Sequence, residues 1–292
     1  MIPNKFEYLT PKSLEEAITM LQRYGEEAKI LSGGHSLIPM MKLRFATPEY
    51  LIDINDLPGL DYIKEEDGYL KIGALTREVA LEDSELINSK YPLLVDTAKM
   101  IADPQVRNLA TIAGNLAHGD AANDHPATML ALNASIVITS STGERVVSIN
   151  DFFKGFFTTA LAFDEILTEI RIPIPEAGSG GAYYKLERKV GDYATAGVAV
   201  QLTVDGSGTC SYVGIGLTNV NATPMRALRS EQMLNGQVIN QELVEQAANA
   251  ASEECNPTAD LRGDEEYKRA MVGVLTKRTL KIALERANHK PL

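Results

Sequence analysis

Apolar residues recur at helical spacing over residues 13–24, where Leu14, Ala17, Ile18 and Leu21 share one face. Ser13 and Glu16 have the spacing of a capping box, and Gly25 is placed to end the helix. The run AKIL (residues 28–31) reads as a strand that breaks at the paired glycines Gly33-Gly34. Beyond them LIPMMKL (residues 37–43) is apolar enough for one or two helical turns. YLIDI (residues 50–54) reads as a second strand, closed by the turn Asn55-Asp56-Leu57-Pro58-Gly59. Residues 1–57 are therefore expected to form a small α/β unit carrying one glycine loop.

A second unit is expected over residues 58–176. Residues 69–75 (YLKIGAL) form a strand pattern, with Thr76 placed to cap the helix after it. Residues 92–102 suggest a helix stopped by Asp103-Pro104, and residues 126–132 a further helix. Residues 135–139 and 144–149 read as a hairpin around Ser141-Thr142-Gly143, and residues 165–172 alternate as a strand that ends at Pro173. EAGSGG (residues 176–181) reads as a linker. It opens a third unit, residues 177–292, in which residues 182–188, 196–204 and 209–218 form an antiparallel meander. The rest, from about Arg226, is expected to be mainly helical, most strongly at residues 238–254 and 264–287.

Composition narrows the function. The chain has 292 residues, 45% hydrophobic and 23% charged, as an ordinary globular protein does. No apolar run approaches the roughly 20 residues that span a bilayer, and MIPNKFEYLT has no signal-peptide pattern, so a cytoplasmic protein is expected. A net charge of -11 argues against a nucleic-acid partner, which requires a basic footprint. Cys210 and Cys255 are far apart, so a disulfide is not expected, and this chain alone cannot build a four-thiolate zinc or iron–sulfur site. Any such centre belongs to a partner.

Two loops stand out as candidate chemistry. In LSGGHSLIPMMK (residues 31–42), glycines before a helix start suit either a tight turn or a seat for phosphate oxygens on free amides. ATIAGNLAHGDAAND (residues 110–124) is of similar character, so the two could embrace one anionic ligand. Neither loop is the G-x-G-x-x-G of a Rossmann domain, so a dinucleotide would be held another way. His118, Asp120, Asp124 and His125 crowd together but match no metal-ligand spacing; Asp124, ahead of Pro126, better suits a helix cap or a ligand hydroxyl. His35-Ser36 is not a hydrolase pair, since G-G-H-S is not the G-x-S-x-G elbow; Ser36 is more simply a helix cap. By spacing alone, Lys185 is an edge-strand lysine with a solvated head and Tyr193 a half-buried aromatic.

Taken in order, LSGGHSLIPMMK, ATIAGNLAHGDAANDHPATMLAL, DEILTEIRIP and YYKLERKVGDYATAG resemble the FAD-binding medium subunit of molybdenum hydroxylases, nearest to the carbon monoxide dehydrogenase type. The resemblance covers nearly the whole chain. It implies an α+β architecture: a two-subdomain FAD-binding fold of the PCMH (vanillyl-alcohol oxidase-like) type, then a C-terminal domain with a three-stranded antiparallel sheet and helices. It also implies non-covalent FAD. On the matched motifs, Ser32, Gly33, Gly34, His35 and Ser36 would wrap the pyrophosphate, with Thr111, Gly114 and Asn115 as the second grip. Asp124 would bond the sugar-like portion, Ile101 and Leu167 would pack near the flavin or adenine, and Lys185 and Tyr193 would lie near the ring system. The family's T-I-G-G-N is T-I-A-G-N here, with Ala113 in place of a glycine; if that position needs a positive φ, alanine costs on the order of 1 kcal/mol and weakens FAD binding.

The same resemblance implies an electron-transfer oxidoreductase subunit with no catalytic side chain and no metal of its own. Electrons would come from a molybdopterin-containing large subunit through a two-cluster [2Fe–2S] small subunit, in a dimer of heterotrimers. Two other readings remain. A free-standing flavin oxidase of the same fold would bond flavin covalently through the histidine of R-x-G-G-H, but Leu31 stands where that arginine would be. A scaffold that has lost FAD is motivated by Ala113.

Overall fold

A computed structural model describes residues 1–288. The first unit contains β1 (Glu7–Leu9), α1 (Leu14–Tyr24), β2 (Ala28–Leu31), α2 (Leu37–Leu43) and β3 (Tyr50–Asp53). Its sheet is parallel, in the order β1-β3-β2. Ala17, Ile18 and Leu21 of α1 pack on Ile52 and Ile54, as their spacing requires. The helix start differs from a full capping box. Ser13 accepts from the Glu16 amide at 3.2 Å, but the Glu16 carboxylate accepts from the Lys12 amide at 2.6 Å. Gly25, at φ 56°, ends the helix as expected.

The second unit follows as β4 (Ile63–Glu66), β5 (Tyr69–Gly73), α3 (Glu78–Asp83), α4 (Glu85–Lys90), α5 (Pro92–Met100), α6 (Pro104–Arg107), α7 (Ile112–Ala117) and α8 (Asp124–Ala131). It continues as β6 (Ser135–Ser140), β7 (Gly143–Ser148), β8 (Phe153–Gly155), β9 (Thr158–Thr159) and β10 (Ile166–Pro173). Five of these strands form an antiparallel sheet, β4-β5-β10-β6-β7, and β8 pairs with β9. β4 lies at an edge and alternates half-buried with exposed residues, so its charged IKEE carries little apolar signal. Thr76 does not cap α3: its hydroxyl donates to the Tyr62 carbonyl at 3.1 Å, and Arg77 occupies the cap position. Asp103-Pro104 both follows α5 and starts α6, with the Asp103 carboxylate accepting from the Val106 amide at 3.0 Å.

The third unit holds β11 (Ser179–Glu187), β12 (Ala194–Val204), β13 (Cys210–Thr218), β14 (Met225–Arg226), α9 (Leu228–Leu234), α10 (Gln241–Glu254) and α11 (Glu265–Asn288). The expected three long strands form the meander, and β14 adds a two-residue edge to it. Every residue of β12 is buried, because α5 and α8 cover one face of the sheet while α11 covers the other. The expected linker is shorter than 176–181, since Gly180 and Gly181 lie within β11. A Cβ on Gly180 would overlap the Ala283 carbonyl of α11, and one on Gly181 would come within 2.9 Å of Leu93 Cβ. These glycines serve close packing rather than flexibility. Among the described residues no helix is long and apolar enough to cross a membrane.

Candidate functional site

β2 stops at Leu31 and delivers Ser32–Ser36 ahead of α2. Gly34, at φ 76°, turns the chain so that its carbonyl accepts from the Ile38 amide at 2.9 Å. Ser36 precedes α2 without making a side-chain cap, so its hydroxyl is not committed to the helix. The second loop is built around Thr111, which caps α7 by accepting from the Gly114 amide at 3.2 Å. The Thr111 hydroxyl also lies 3.0 Å from that of Ser32, joining the two loops.

Their backbones touch. A Cβ on Gly33 would stand 2.5 Å from the Leu109 carbonyl oxygen and 2.6 Å from Ala110 Cα, so only glycine allows this approach. A Cβ on Gly114 would meet the Thr111 and Ser32 hydroxyls at 2.7 and 2.9 Å. Ala113 brings no such conflict. It lies inside α7, is absent from the positive-φ positions and packs its methyl into the core, so the expected strain does not arise. Ala113 therefore gives no strain that would weaken FAD binding or mark a scaffold without FAD.

The loops border a cleft of about 810 Å³ that all the residues singled out by the family motifs line together. Ile101, just after α5, and Leu167, on β10, provide apolar wall and are 7% and 4% exposed. Asn115 also lines the cleft, and its Oδ1 is buried without a hydrogen-bond partner. His35 is exposed at the rim.

Asp124 and Lys185 meet where α8 packs on the third unit's sheet. Lys185 is 4% exposed, not solvated as an edge lysine would be. Its ammonium donates to Asp124 Oδ2 at 2.9 Å, to the Met100 carbonyl at 2.7 Å and to the Asp192 carbonyl at 3.1 Å, which uses all three protons. The other Asp124 oxygen accepts from the Tyr183 hydroxyl at 2.6 Å. Burial raises the Asp124 carboxyl above its usual range, opposed by Lys185 and Tyr183. Burial, reinforced by Asp124, pushes the Tyr183 phenol well up. Asp124 is thus the first residue of α8, with its carboxylate turned to β11 rather than capping the helix.

Tyr193 stands at the mouth, 43% exposed, with the Arg262 guanidinium 5.5 Å from its ring centre. Arg262 donates to Asp192 at 2.7 Å and holds that carboxyl below its usual range. Sequence reasoning missed Tyr183, Arg262 and the β8–β9 turn that contributes Phe157 and Thr158 to the cleft. Hydropathy offered no signal for them, since each works through a tertiary contact.

The crowded His and Asp residues diverge. His125 Nε2 pairs with Glu78 at 2.7 Å in full burial, His118 packs its ring 4.8 Å from that of Phe157, and Asp120 accepts from the Ala122 amide. Among the described residues no three His, Cys, Asp or Glu side chains are grouped to hold a metal ion. Cys210 and Cys255 are free and buried.

Glycine-faced loops beside a helix start suit a dinucleotide pyrophosphate, and known proteins agree. Residues 4–175 match the family described as FAD binding domain in molybdopterin dehydrogenase, and residues 181–283 the CO dehydrogenase flavoprotein C-terminal domain. The carbon monoxide dehydrogenase medium chain of Hydrogenophaga pseudoflava is 49% identical over 98% of this chain and 99% of its own. That of Afipia carboxidovorans is 44% identical over 99% and 100%. A solved carbon monoxide dehydrogenase from Hydrogenophaga pseudoflava superposes with a TM-score of 0.95 at 50% identity, over 98% of this chain and 99% of that one. The chain therefore belongs to the FAD-binding medium subunits of the molybdenum hydroxylase family, of the carbon monoxide dehydrogenase type, an oxidoreductase subunit whose cofactor is FAD.

Proposed function

We propose that this chain is the electron-transfer subunit of a molybdenum hydroxylase complex, held with a molybdopterin-containing large subunit and a two-cluster [2Fe–2S] small subunit in a dimer of heterotrimers. Bound FAD would supply the redox chemistry that links the partner's clusters to a terminal acceptor. The chain's residues bind and orient that cofactor. Residues 1–57 and 58–176 act as two FAD-binding subdomains, and residues 177–292 close the site.

The observation that carries this reading is the backbone contact of two glycine loops, Gly33 against Leu109 and Ala110, beside one cleft. Amides of Ser32–Ser36 would take the pyrophosphate, with Thr111, Gly114 and Asn115 as the second grip, and Asp124 the sugar-like portion. Lys185 would fix the Asp124 carboxylate from beneath, consistent with its three protein acceptors. Ile101 and Leu167 would exclude water from the rings, and Tyr193, steadied by Arg262, would cover the exposed side.

Isolating the tagged chain from its own cells tests the assembly. Molybdenum, pterin and iron should co-purify with FAD, at two [2Fe–2S] clusters per flavin. A chain recovered alone with FAD that itself oxidises an organic substrate would contradict the proposal in favour of a free-standing oxidase.

A further inference from the structure

Both glycine loops are supported from behind by two polar residues that do not line the cleft. Between β5 and α3, Thr76–Glu78 runs antiparallel to Ala110–Ile112. The Glu78 amide donates to the Ala110 carbonyl at 3.0 Å, and the Ile112 amide to the Thr76 carbonyl at 3.2 Å. Arg77, in the middle, sends its guanidinium two ways. Nη1 donates to the Leu109 carbonyl, and Nη2 donates to Asn55 Oδ1 at 2.7 Å. Asn55 passes the contact on: its Nδ2 donates to the Ser32 carbonyl at 2.8 Å and to Asp53 Oδ1 at 2.6 Å. One chain of bonds thus runs Leu109–Arg77–Asn55–Ser32, from the head of the second loop to the head of the first. The Leu109 carbonyl that Arg77 holds is also the atom against which Gly33 packs.

We propose that Arg77 and Asn55 are positioning residues that set the separation of the two glycine loops and thereby their fit to the diphosphate of FAD. The inference rests on the reading that these loops hold that diphosphate. The two residues touch no ligand and act through the carbonyls of Leu109 and Ser32. A guanidinium suits the task because its rigid planar fork offers two donors in fixed, diverging directions, whereas a lysine ammonium is a single point on a flexible stem. Asn55 suits it because one amide both accepts from Arg77 and donates to Ser32.

The test uses the full chain in the assembly in which it is isolated, stripped of flavin and titrated with FAD and with riboflavin, which lacks the diphosphate. Arg77→Gln and Asn55→Ala should each weaken FAD binding about tenfold, as for loss of a hydrogen bond to a charged group. The double variant should be no weaker than the worse single variant, because both interrupt one chain of bonds. Arg77→Lys should not restore affinity, and riboflavin binding and the melting temperature of the flavin-free protein should stay close to wild type. Gly33→Val, as a control on the loops themselves, should abolish FAD binding. Unchanged FAD affinity in Arg77→Gln and Asn55→Ala, with Gly33→Val defective, would overturn the positioning role and leave the loops as the diphosphate site. Full FAD binding by Gly33→Val would overturn that loop reading and the positioning role with it. Parallel loss of FAD and riboflavin, or additive effects in the double variant, would also overturn the positioning role.

Discussion

Asp124 accepts from Tyr183 and Lys185, and each of the three is buried. Removing one partner of a buried ion pair leaves an uncompensated charge, so Lys185→Met should cost about 3–5 kcal/mol. Urea unfolding should show that loss, and the double variant Asp124→Asn/Lys185→Met should recover part of it. A double variant less stable than the single would argue against a paired charge. His118 adds a pH term. Burial lowers its pKa from 6.5, against an opposing pull from Asp120. Below that value the unfolded chain takes up a proton that the folded chain resists, so stability must fall as pH drops. His118→Gln should flatten the stability profile between pH 6.5 and the folded-state pKa; equal slopes in the two proteins would discount His118. At this scale the sequence was legible where a residue acts through its own backbone, as Gly34 does at φ 76°. It was not legible where the partner is distant in the chain. Nothing near Lys185 announces Met100 or Asp124, and nothing near Ala113 announces that its position is helical and free of strain.

Elements were readable where their apolar period or their turn chemistry is strong. The amphipathic α1, the hairpin of β6 and β7 and the long β12 all declare themselves by period. β1, β4 and β9 are short or half-exposed, and their pattern is too weak to register. The glycines of residues 176–181 show a different limit: a glycine needed for flexibility and one needed for contact look the same in sequence. Gly214 and Gly216 of β13 face the Ala131 and Ala127 carbonyls of α8, where an added Cβ would overlap them. That closeness sets α8, and with it Asp124, against the sheet. Gly216→Ala should push the helix away, cost about 2 kcal/mol and lower FAD content. A variant with wild-type stability and full flavin would show that α8 does not need this contact.

At the scale of the whole molecule, the third unit's sheet is shared. α5 and α8 of the second unit cover one face, and Arg286 of α11 crosses to Asp96 of α5 at 2.6 Å. The cleft walls therefore come from all three units, with Ser32–Ser36 from the first, Thr111–Asn115 and Leu167 from the second, and Lys185 and Tyr193 from the third. Loosening any contact between units should act on cofactor retention as well as on stability. Arg286→Ala should lower both the melting temperature and the FAD content, and loss of neither would mean that the third unit is held elsewhere. The central claim is that this cleft carries one non-covalent FAD between its glycine loops. Acid precipitation of the protein as isolated from its own cells tests it most directly. The account predicts a colourless pellet and one FAD per chain in the supernatant, falling to near zero in Gly33→Val. A yellow pellet, a flavin-free protein, or undiminished FAD in Gly33→Val would contradict it.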